Sequence, residues 1–173
     1  MGWACNMRSG FAMTSELGFL IRGQVMALSA TLGLWGGQAM ATDGLTTTRS
    51  TFGPQDTLRR LEAAVKTKGM TVFARIDHAA AAAEVGLSLR PTALLVFGNA
   101  RGGTPLMQSA QTIGIDLPLK ALVWQDASGN TWLSYNDPSW LAQRHGLGAE
   151  AETTVKALTA ALNALATAVT TPP

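Results

Sequence analysis

The sequence is poor in cysteine and in charge. Its 173 residues contain one cysteine, Cys5, and charged residues make up 14% of the chain. A single thiol excludes an internal disulfide framework and a metal site built from several thiolates. Basic and acidic residues almost balance, at a formal net charge of +2, and no basic stripe is present. A nucleic-acid partner is therefore excluded, because nothing would neutralise its phosphates.

Long hydrophobic runs are also lacking. A membrane-spanning helix needs about 20 apolar residues, whereas the apolar stretch 25–35 is shorter and is interrupted by polar residues. It follows Arg22, and Ala39-Met40-Ala41 then has the small-x-small pattern that a signal peptidase accepts. We predict a signal peptide over Met1 to Ala41 and a periplasmic or secreted mature protein that starts at Thr42. An uncleaved membrane anchor is the alternative.

The first residue of this leader is open. The stretch before its apolar part is long for a signal peptide, and Met7, Met13 or Met26 would also serve as the start. The leader holds Cys5, two arginines and one glutamate. Its removal therefore leaves a thiol-free chain with a net charge of +1 and no stable membrane anchor. About 130 residues bury roughly two-thirds of their surface without disulfides, so we predict a single domain over 42–173.

Hydrophobic spacing in the first half predicts strands and helices in turn. The threonine-rich segment 45–52 is typical of a strand. Pro54 suits the first position of a helix, which apolar residues at helical spacing continue until Gly69. Segment 70–76 alternates as a strand does, and an alanine-rich helix over 79–85 follows. The strand residues predicted to share one face are Val72, Ala74 and Ile76.

The second half begins with a near-continuous apolar run over 92–97, which is typical of a central strand. We predict a loop over 98–103, a helical turn opened by Thr104-Pro105, and a hairpin of strands 119–125 and 130–136. A short helix begins at Asp137-Pro138 and ends near Gly146. The last helix covers about 149–169, and its apolar seam consists of Val155, Leu158, Leu162, Leu165 and Val169.

This order predicts an α+β fold with a mostly antiparallel sheet, because a hairpin joins the later strands. Two long helices would cover one face of that sheet. The main elements follow the order β-α-β-β-β-β-α.

The segment from Met70 to Leu147 resembles the domain of unknown function (DUF) 302 family. The motifs that carry the resemblance are Phe73-Ala74-Arg75-Ile76-Asp77-His78, Leu89-Arg90-Pro91-Thr92, Val96-Phe97-Gly98-Asn99, Gly103-Thr104-Pro105-Leu106, Gly114-Ile115-Asp116-Leu117-Pro118-Leu119-Lys120, Leu133-Ser134-Tyr135-Asn136-Asp137-Pro138 and Arg144-His145. The resemblance implies a fold of the TATA-binding-protein-like class, often dimeric. It implies no activity, because the name of the family records that none was assigned, and fold alone would not supply one either.

Asp77-His78 is the first candidate for chemistry. A neutral histidine at a helix N-terminus accepts a proton or binds a metal, while the structural alternative is that Asp77 caps the alanine-rich helix. His145 is the other histidine of the chain, and the positive residues around it also fit a plain helix C-terminus. If the two converged near Asp77 or Asp116 they would ligate a metal. Their separation in sequence encodes no such site, and the cofactor is unknown.

The glycine-rich segment 98–104 is a second candidate, because backbone N–H groups and Arg101 would cradle an anion there. It matches neither a Walker loop nor the dinucleotide fingerprint, and an ordinary turn is the alternative. Arg75 lies within a strand, so it must be paired or exposed; unpaired in a cleft it would bind a carboxylate or phosphate. Tyr135 ends a strand, where its hydroxyl would be available to a cavity.

Three hypotheses follow. The first is a non-enzymatic module that binds a small ligand, with a polar lining formed by Arg75, Asp77, His78, Arg90, Asn99, Asp116, Tyr135 and Asn136. The second is an enzyme or metal protein in which His78 is base or ligand and Asp77 orients it. The third is a structural homodimer, paired through the seam of the last helix or through an edge strand. The small catalytic inventory favours the first.

Overall fold

A computed structural model describes residues 43–172 of the chain. The predicted signal peptide, its alternative start sites and the cleavage site before Thr42 all lie outside these residues. They remain predictions from the sequence.

The described residues form five strands and five helices. In chain order they are β1 (Leu45–Ser50), α1 (Pro54–Thr67), β2 (Thr71–Asp77), α2 (His78–Glu84), β3 (Thr92–Gly98), α3 (Ala100–Ser109), β4 (Leu119–Gln125), β5 (Thr131–Asn136), α4 (Pro138–His145) and α5 (Glu152–Thr170). Short 3₁₀ turns cover Gln111–Ile115 and Ala149–Ala151.

The strands form a single antiparallel sheet in the order β1-β5-β4-β3-β2. The predicted α+β class, the antiparallel sheet and the order of the main elements are therefore confirmed. Helices α1 and α5 pack together over one face of the sheet. We call this the helix-covered face, and the opposite one the open face.

The core lies between the helix-covered face and the two long helices. Phe97 and Leu95 of β3 are fully buried against Leu61 of α1 and Leu165 of α5. Most of the predicted seam of the last helix takes part in this core, which confirms its spacing. Since the seam packs within the same chain, it is not available for pairing with a second copy.

One strand departs from the predicted alternation. The pairing of β2 with β3 shifts register between Val72 and Ala74, so Phe73 forms a bulge. Val72 pairs with the buried Phe97 and faces the helices, whereas Ala74 pairs with Val96 on the open face. The prediction that Val72 shares a face with Ala74 and Ile76 is wrong, because an extra residue reverses the alternation.

The predicted loop 98–103 is largely helical. The Asn99 side chain accepts a hydrogen bond from the backbone N–H of Gly102 at 2.8 Å and so caps α3, which begins at Ala100. Thr104-Pro105 consequently lies inside the helix and does not open it. Asn99 is the local sequence signal for this start, although the glycines that follow it favour a loop.

Candidate functional site

An apolar cleft of about 270 Å³ lies at the end of the sheet where β3 stops and β4 starts. We call it the methionine cleft. Its apolar lining consists of Met70, Phe73, Ala100, Met107, Leu117, Pro118, Leu119 and Leu158. Its remaining lining residues are Gly98, Gly102, Gly103, Gly114, Asn99 and Thr104. A small apolar group bound here would lose part of its water-exposed surface.

Two methionines give the cleft its character. Met70 and Met107 are the only methionines among residues 43–172, and both line it. Methionine side chains are flexible and polarizable, so they adapt to ligands of different shape. Their convergence could not be read from the sequence, because 37 positions separate them.

Phe73 forms part of the cleft wall because of the bulge in β2. Regular alternation would place Phe73 on the face opposite to both Val72 and Ala74, whereas the bulge interrupts the alternation at this residue. Its side chain is 58% exposed, which is unusual for so large an apolar group when it lines an apolar cleft. An occupant of the cleft would cover it.

Glycines keep the cleft open. A Cβ atom added to Gly103 would lie 3.6 Å from Cδ1 of Leu117, and one on Gly114 would lie 3.5 Å from Sδ of Met107. These are ordinary contact distances, so a methyl group fits at either position. It would occupy space that the cleft now offers to a ligand.

A second, more polar cleft of about 570 Å³ lies at the other end of the sheet, beside the start of α1. Arg75 and Asp77 both line it. Within residues 43–172, Arg75 has no carboxylate within ion-pair distance. Asp56, which also lines the cleft, pairs with Arg59 at 2.8 Å. The second cleft thus contains the Arg75 guanidinium together with the Asp77 carboxylate and an Asp56 carboxylate already paired with Arg59, so it has no clear preference for an anion.

Asp77 and His78 have the arrangement that helix capping predicts. The Asp77 carboxylate accepts a hydrogen bond from the Ala80 N–H at 3.0 Å and caps α2. His78 is the exposed first residue of that helix and lines neither cleft. Asp77 therefore caps the alanine-rich helix, which is the structural alternative to a catalytic or metal-binding role for this pair.

The two histidines lie near opposite ends of the sheet. His78 follows Asp77, which pairs with the start of β3, while His145 bonds to Asp116, just before β4 and beside the end of β3. The seven residues of β3 separate them by about 20 Å. His78 and His145 therefore cannot bind the same metal ion, since the ligands of one ion lie within a few ångströms of each other.

His145 and Asp116 form a partly buried pair, with Nε2 of the imidazole 2.7 Å from Oδ2 of the carboxylate. Nδ1 lies 3.1 Å from the hydroxyl of Thr112. Both ring nitrogens are thus engaged within the fold. The pair attaches the end of α4 to the 111–116 segment, and its neighbours Gly114 and Leu117 line the methionine cleft.

The other predicted ligand residues are spread over the molecule. Nε of Arg90 donates to the carbonyl oxygen of Gln125 at 3.1 Å, and the Tyr135 hydroxyl donates to Oδ1 of Asn163 at 2.7 Å. Burial raises the pKa of Tyr135, and the Asp137 charge adds to this. Asn136 ends β5 opposite Leu45. The eight residues therefore do not share one pocket: Arg75 and Asp77 line the second cleft, and Asn99 lines the methionine cleft.

A family model and a solved structure both relate this chain to the same protein family. The sequence profile described as "Domain of unknown function DUF302" matches residues 46–165. A crystal structure of an uncharacterized conserved protein DUF302 from Bacillus stearothermophilus superimposes with a TM-score of 0.67 at 22% identity. The superposition covers 74% of this chain and 99% of that one.

Curated relatives carry a different name. Two proteins called Fluoride-specific ion channel FluC 1, from Brucella suis biovar 1 (strain 1330) and Brucella abortus biovar 1 (strain 9-941), are each 51% identical over 115 residues. The matched part is 66% of this chain but only 45% and 43% of those proteins. This chain thus spans less than half of their length. Among residues 43–172, no helix combines the length and apolar character needed to cross a bilayer.

Proposed function

Since the chain belongs to the DUF302 family, whose description names no activity, we propose that it is an exported, non-enzymatic module that binds a small apolar or amphipathic molecule. The observation that carries this proposal is the methionine cleft. It combines two flexible thioethers, an exposed phenylalanine and a glycine-lined wall. Ligand pockets of proteins are typically concave, mostly apolar and furnished with few polar groups.

The size and polarity of the cleft define the ligand class. A volume of about 270 Å³ lies just below the usual range for ligand pockets, about 300–1,000 Å³. An aromatic ring with a short substituent or the end of an acyl chain would suit it. Each buried methylene group contributes about 0.8 kcal/mol to binding. Asn99 and Thr104 stand at the polar part of the lining, where they would meet a polar end group.

The arrangement of His78 supports a binding role over catalysis. A general base must approach the proton that it removes to hydrogen-bond distance. His78 lines neither cleft, and the partner that would orient it, Asp77, bonds to the start of α2 instead. Export is proposed on the leader sequence alone, through the apolar stretch and the small-x-small pattern before Thr42.

Binding of the uncharged dye N-phenyl-1-naphthylamine tests the proposal, because its fluorescence rises in apolar surroundings. We expect saturable binding that Gly103→Ala weakens several-fold by narrowing the cleft. This substitution stabilises α3 by about 1 kcal/mol, so weaker binding would not reflect unfolding. Gly53→Ala is the control, since it makes the same change in open space beside the second cleft. Equal dye binding by all three proteins would refute the methionine cleft as the site.

The relatives named as fluoride channels suggest a second candidate function, a domain that works beside an ion channel. It rests on their 51% identity over 115 residues. Titration with sodium fluoride, with sodium chloride as the control salt, tests it by the melting temperature. A saturable rise with fluoride alone would favour this candidate. Identical responses to both salts would count against it.

A further inference from the structure

The second cleft lies between the first turns of α1 and the adjoining ends of β2, β3 and β4. Its volume of about 570 Å³ falls within the usual range for ligand pockets, about 300–1,000 Å³. It shares no lining residue with the methionine cleft. The two clefts are therefore separate places at which a ligand could bind.

Two opposite charges in the second cleft point to the same face of the sheet. Asp77 pairs with Ala93, and Arg75 pairs with Leu95. Ala93 and Leu95 are buried on the helix-covered face, and residues directly opposite each other in a sheet share a face. Strand β2 lies at one edge of the described sheet, and both charged side chains there remain exposed.

These charges are close together but unpaired. Two residues of an extended strand span about 6.6 Å, yet within residues 43–172 no ion pair joins Arg75 to Asp77 or to another carboxylate. Asp77 uses Oδ1 to cap α2, and its Oδ2 accepts no hydrogen bond in this part of the chain. Each charge is therefore available to a ligand group of the opposite sign.

Neighbouring charges in α1 already have partners. Glu62 accepts a hydrogen bond from Lys66 at 2.6 Å, which lowers the pKa of Glu62 most, and the charge of Arg75 lowers it further. This effect shows that the Arg75 guanidinium lies beside α1. Asp56, the other charged residue of the lining, pairs with Arg59 at 2.8 Å.

The floor of the second cleft is apolar. Leu58 of α1, Ala93 of β3 and Val123 of β4 line it and are buried. A simple anion or cation would be repelled by one of the two exposed charges. A ligand that carries both charges close together, with an aliphatic group beside them, would match the whole lining.

We propose that the second cleft binds a free α-amino acid with an aliphatic side chain. The Arg75 guanidinium donates hydrogen bonds to the carboxylate of the ligand, and the ammonium group of the ligand donates to the Asp77 carboxylate. The aliphatic side chain lies on the floor formed by Leu58, Ala93 and Val123, where it loses contact with water. This site does not depend on the methionine cleft or on its ligand.

Isothermal titration calorimetry of the purified protein with L-leucine tests the site. We expect saturable binding of L-leucine. Leucinamide, which lacks the carboxylate, and 4-methylpentanoate, which lacks the ammonium group, should each bind about tenfold more weakly or worse. No binding of L-leucine at millimolar concentrations would overturn the proposal. Equal binding of L-leucine and 4-methylpentanoate would also overturn it, because the cleft would then be a simple anion site.

Two substitutions test the assigned residues. Arg75→Gln and Asp77→Asn should each weaken L-leucine binding about tenfold or more. The melting temperature should change little, because both side chains are exposed and asparagine also caps helices. Lys68→Gln and Glu84→Gln are the matched controls, since each removes one exposed charge that lines neither cleft.

The controls should bind L-leucine as the wild type does. Folded Arg75→Gln and Asp77→Asn proteins with wild-type affinity would refute the site. The two charges would then serve only to protect an edge strand from pairing with another chain, a role that requires neither an apolar floor nor a ligand.

Discussion

His145 and Asp116 join two segments that are distant in sequence, with 2.7 Å between Nε2 of the imidazole and Oδ2 of the carboxylate. Thr112 bonds to the other ring nitrogen at 3.1 Å. The imidazole side chain is 8% exposed, so these bonds are made with little competition from water. These two hydrogen bonds hold the 111–116 segment in place, and Gly114 and Leu117, in and next to this segment, line the methionine cleft.

We therefore expect His145→Ala to lower the free energy of unfolding by about 1–3 kcal/mol, because it leaves a partly buried carboxylate without its partner. Urea unfolding measures this change, and a double-mutant cycle with Asp116→Ala isolates the pair. Arg144→Ala is the control, since its guanidinium lies 3.7 Å from Asp116 and is half exposed. Its effect should stay below about 1 kcal/mol. Additive effects of the two alanine substitutions would show that the pair contributes nothing.

Asp126 organises the hairpin between β4 and β5. Its carboxylate accepts hydrogen bonds from the Trp132 indole at 2.8 Å and from the side chain and backbone of Asn130. The bond from Trp132, followed by those from Asn130, lowers the pKa of Asp126 from 3.8 to about 2. A lowered pKa means that this group stabilises the fold above its unfolded value near 3.8, and that the contribution is lost as the pH falls through about 2.

Asp126→Asn should consequently be less stable than the wild type near neutral pH, and the difference should shrink as the pH falls from about 4 to about 2. Melting temperatures across this range measure it. Asp56→Asn, on an exposed pair with Arg59, serves for comparison and should show little of this dependence. A difference in melting temperature between Asp126→Asn and the wild type that stays the same at every pH would contradict the lowered pKa of Asp126.

Tyr135 gives a matching prediction at high pH. Its raised pKa, caused first by burial and then by the Asp137 charge, favours the neutral phenol in the folded state. The contribution is complete below the unfolded value near 10 and is lost as the pH rises through the folded value. Tyr135→Phe should cost about 1 kcal/mol at neutral pH through the lost bond to Asn163. Above pH about 10 it should lose less stability than the wild type.

The next prediction concerns the leader, which lies outside the described residues. Expressed in a Gram-negative host, the protein should be recovered from the periplasm with Thr42 as its first residue, as intact mass and N-terminal sequencing will show. Ala39→Leu should block cleavage because it removes a small residue from the small-x-small pattern. Met40→Leu, at the position that accepts any residue, should be processed normally. Unprocessed wild-type protein in the membrane fraction would favour the anchor instead.

Local chemistry made most of the fold predictable. The α1 helix followed from Pro54 and from apolar residues at helical spacing, and the hairpin from its turn residues, because these signals act between near neighbours. The bulge at Phe73 was missed, since it is defined only by pairing with β3. The TATA-binding-protein-like label remains a prediction of the resemblance.

The site was less predictable than the fold because it depends on contacts between residues that are distant in sequence. Met70 lies just before β2 and Met107 lies in α3, so only the tertiary fold brings both to one cleft. The polar residues chosen from the sequence mostly serve caps and local bonds, as Asp77 and Arg90 do. Nothing in their spacing distinguished these roles from ligand binding, because both use the same donors and acceptors.

The placement of both sulfur atoms in one cleft has a redox consequence. Peroxide converts a thioether to a sulfoxide, which replaces a soft apolar atom by a strongly polar group. Met70 and Met107 are half-buried and so within reach of small oxidants. Oxidation of the two methionines would make the apolar lining of the cleft polar and would release an apolar ligand. Methionine sulfoxide reductase would restore the thioethers.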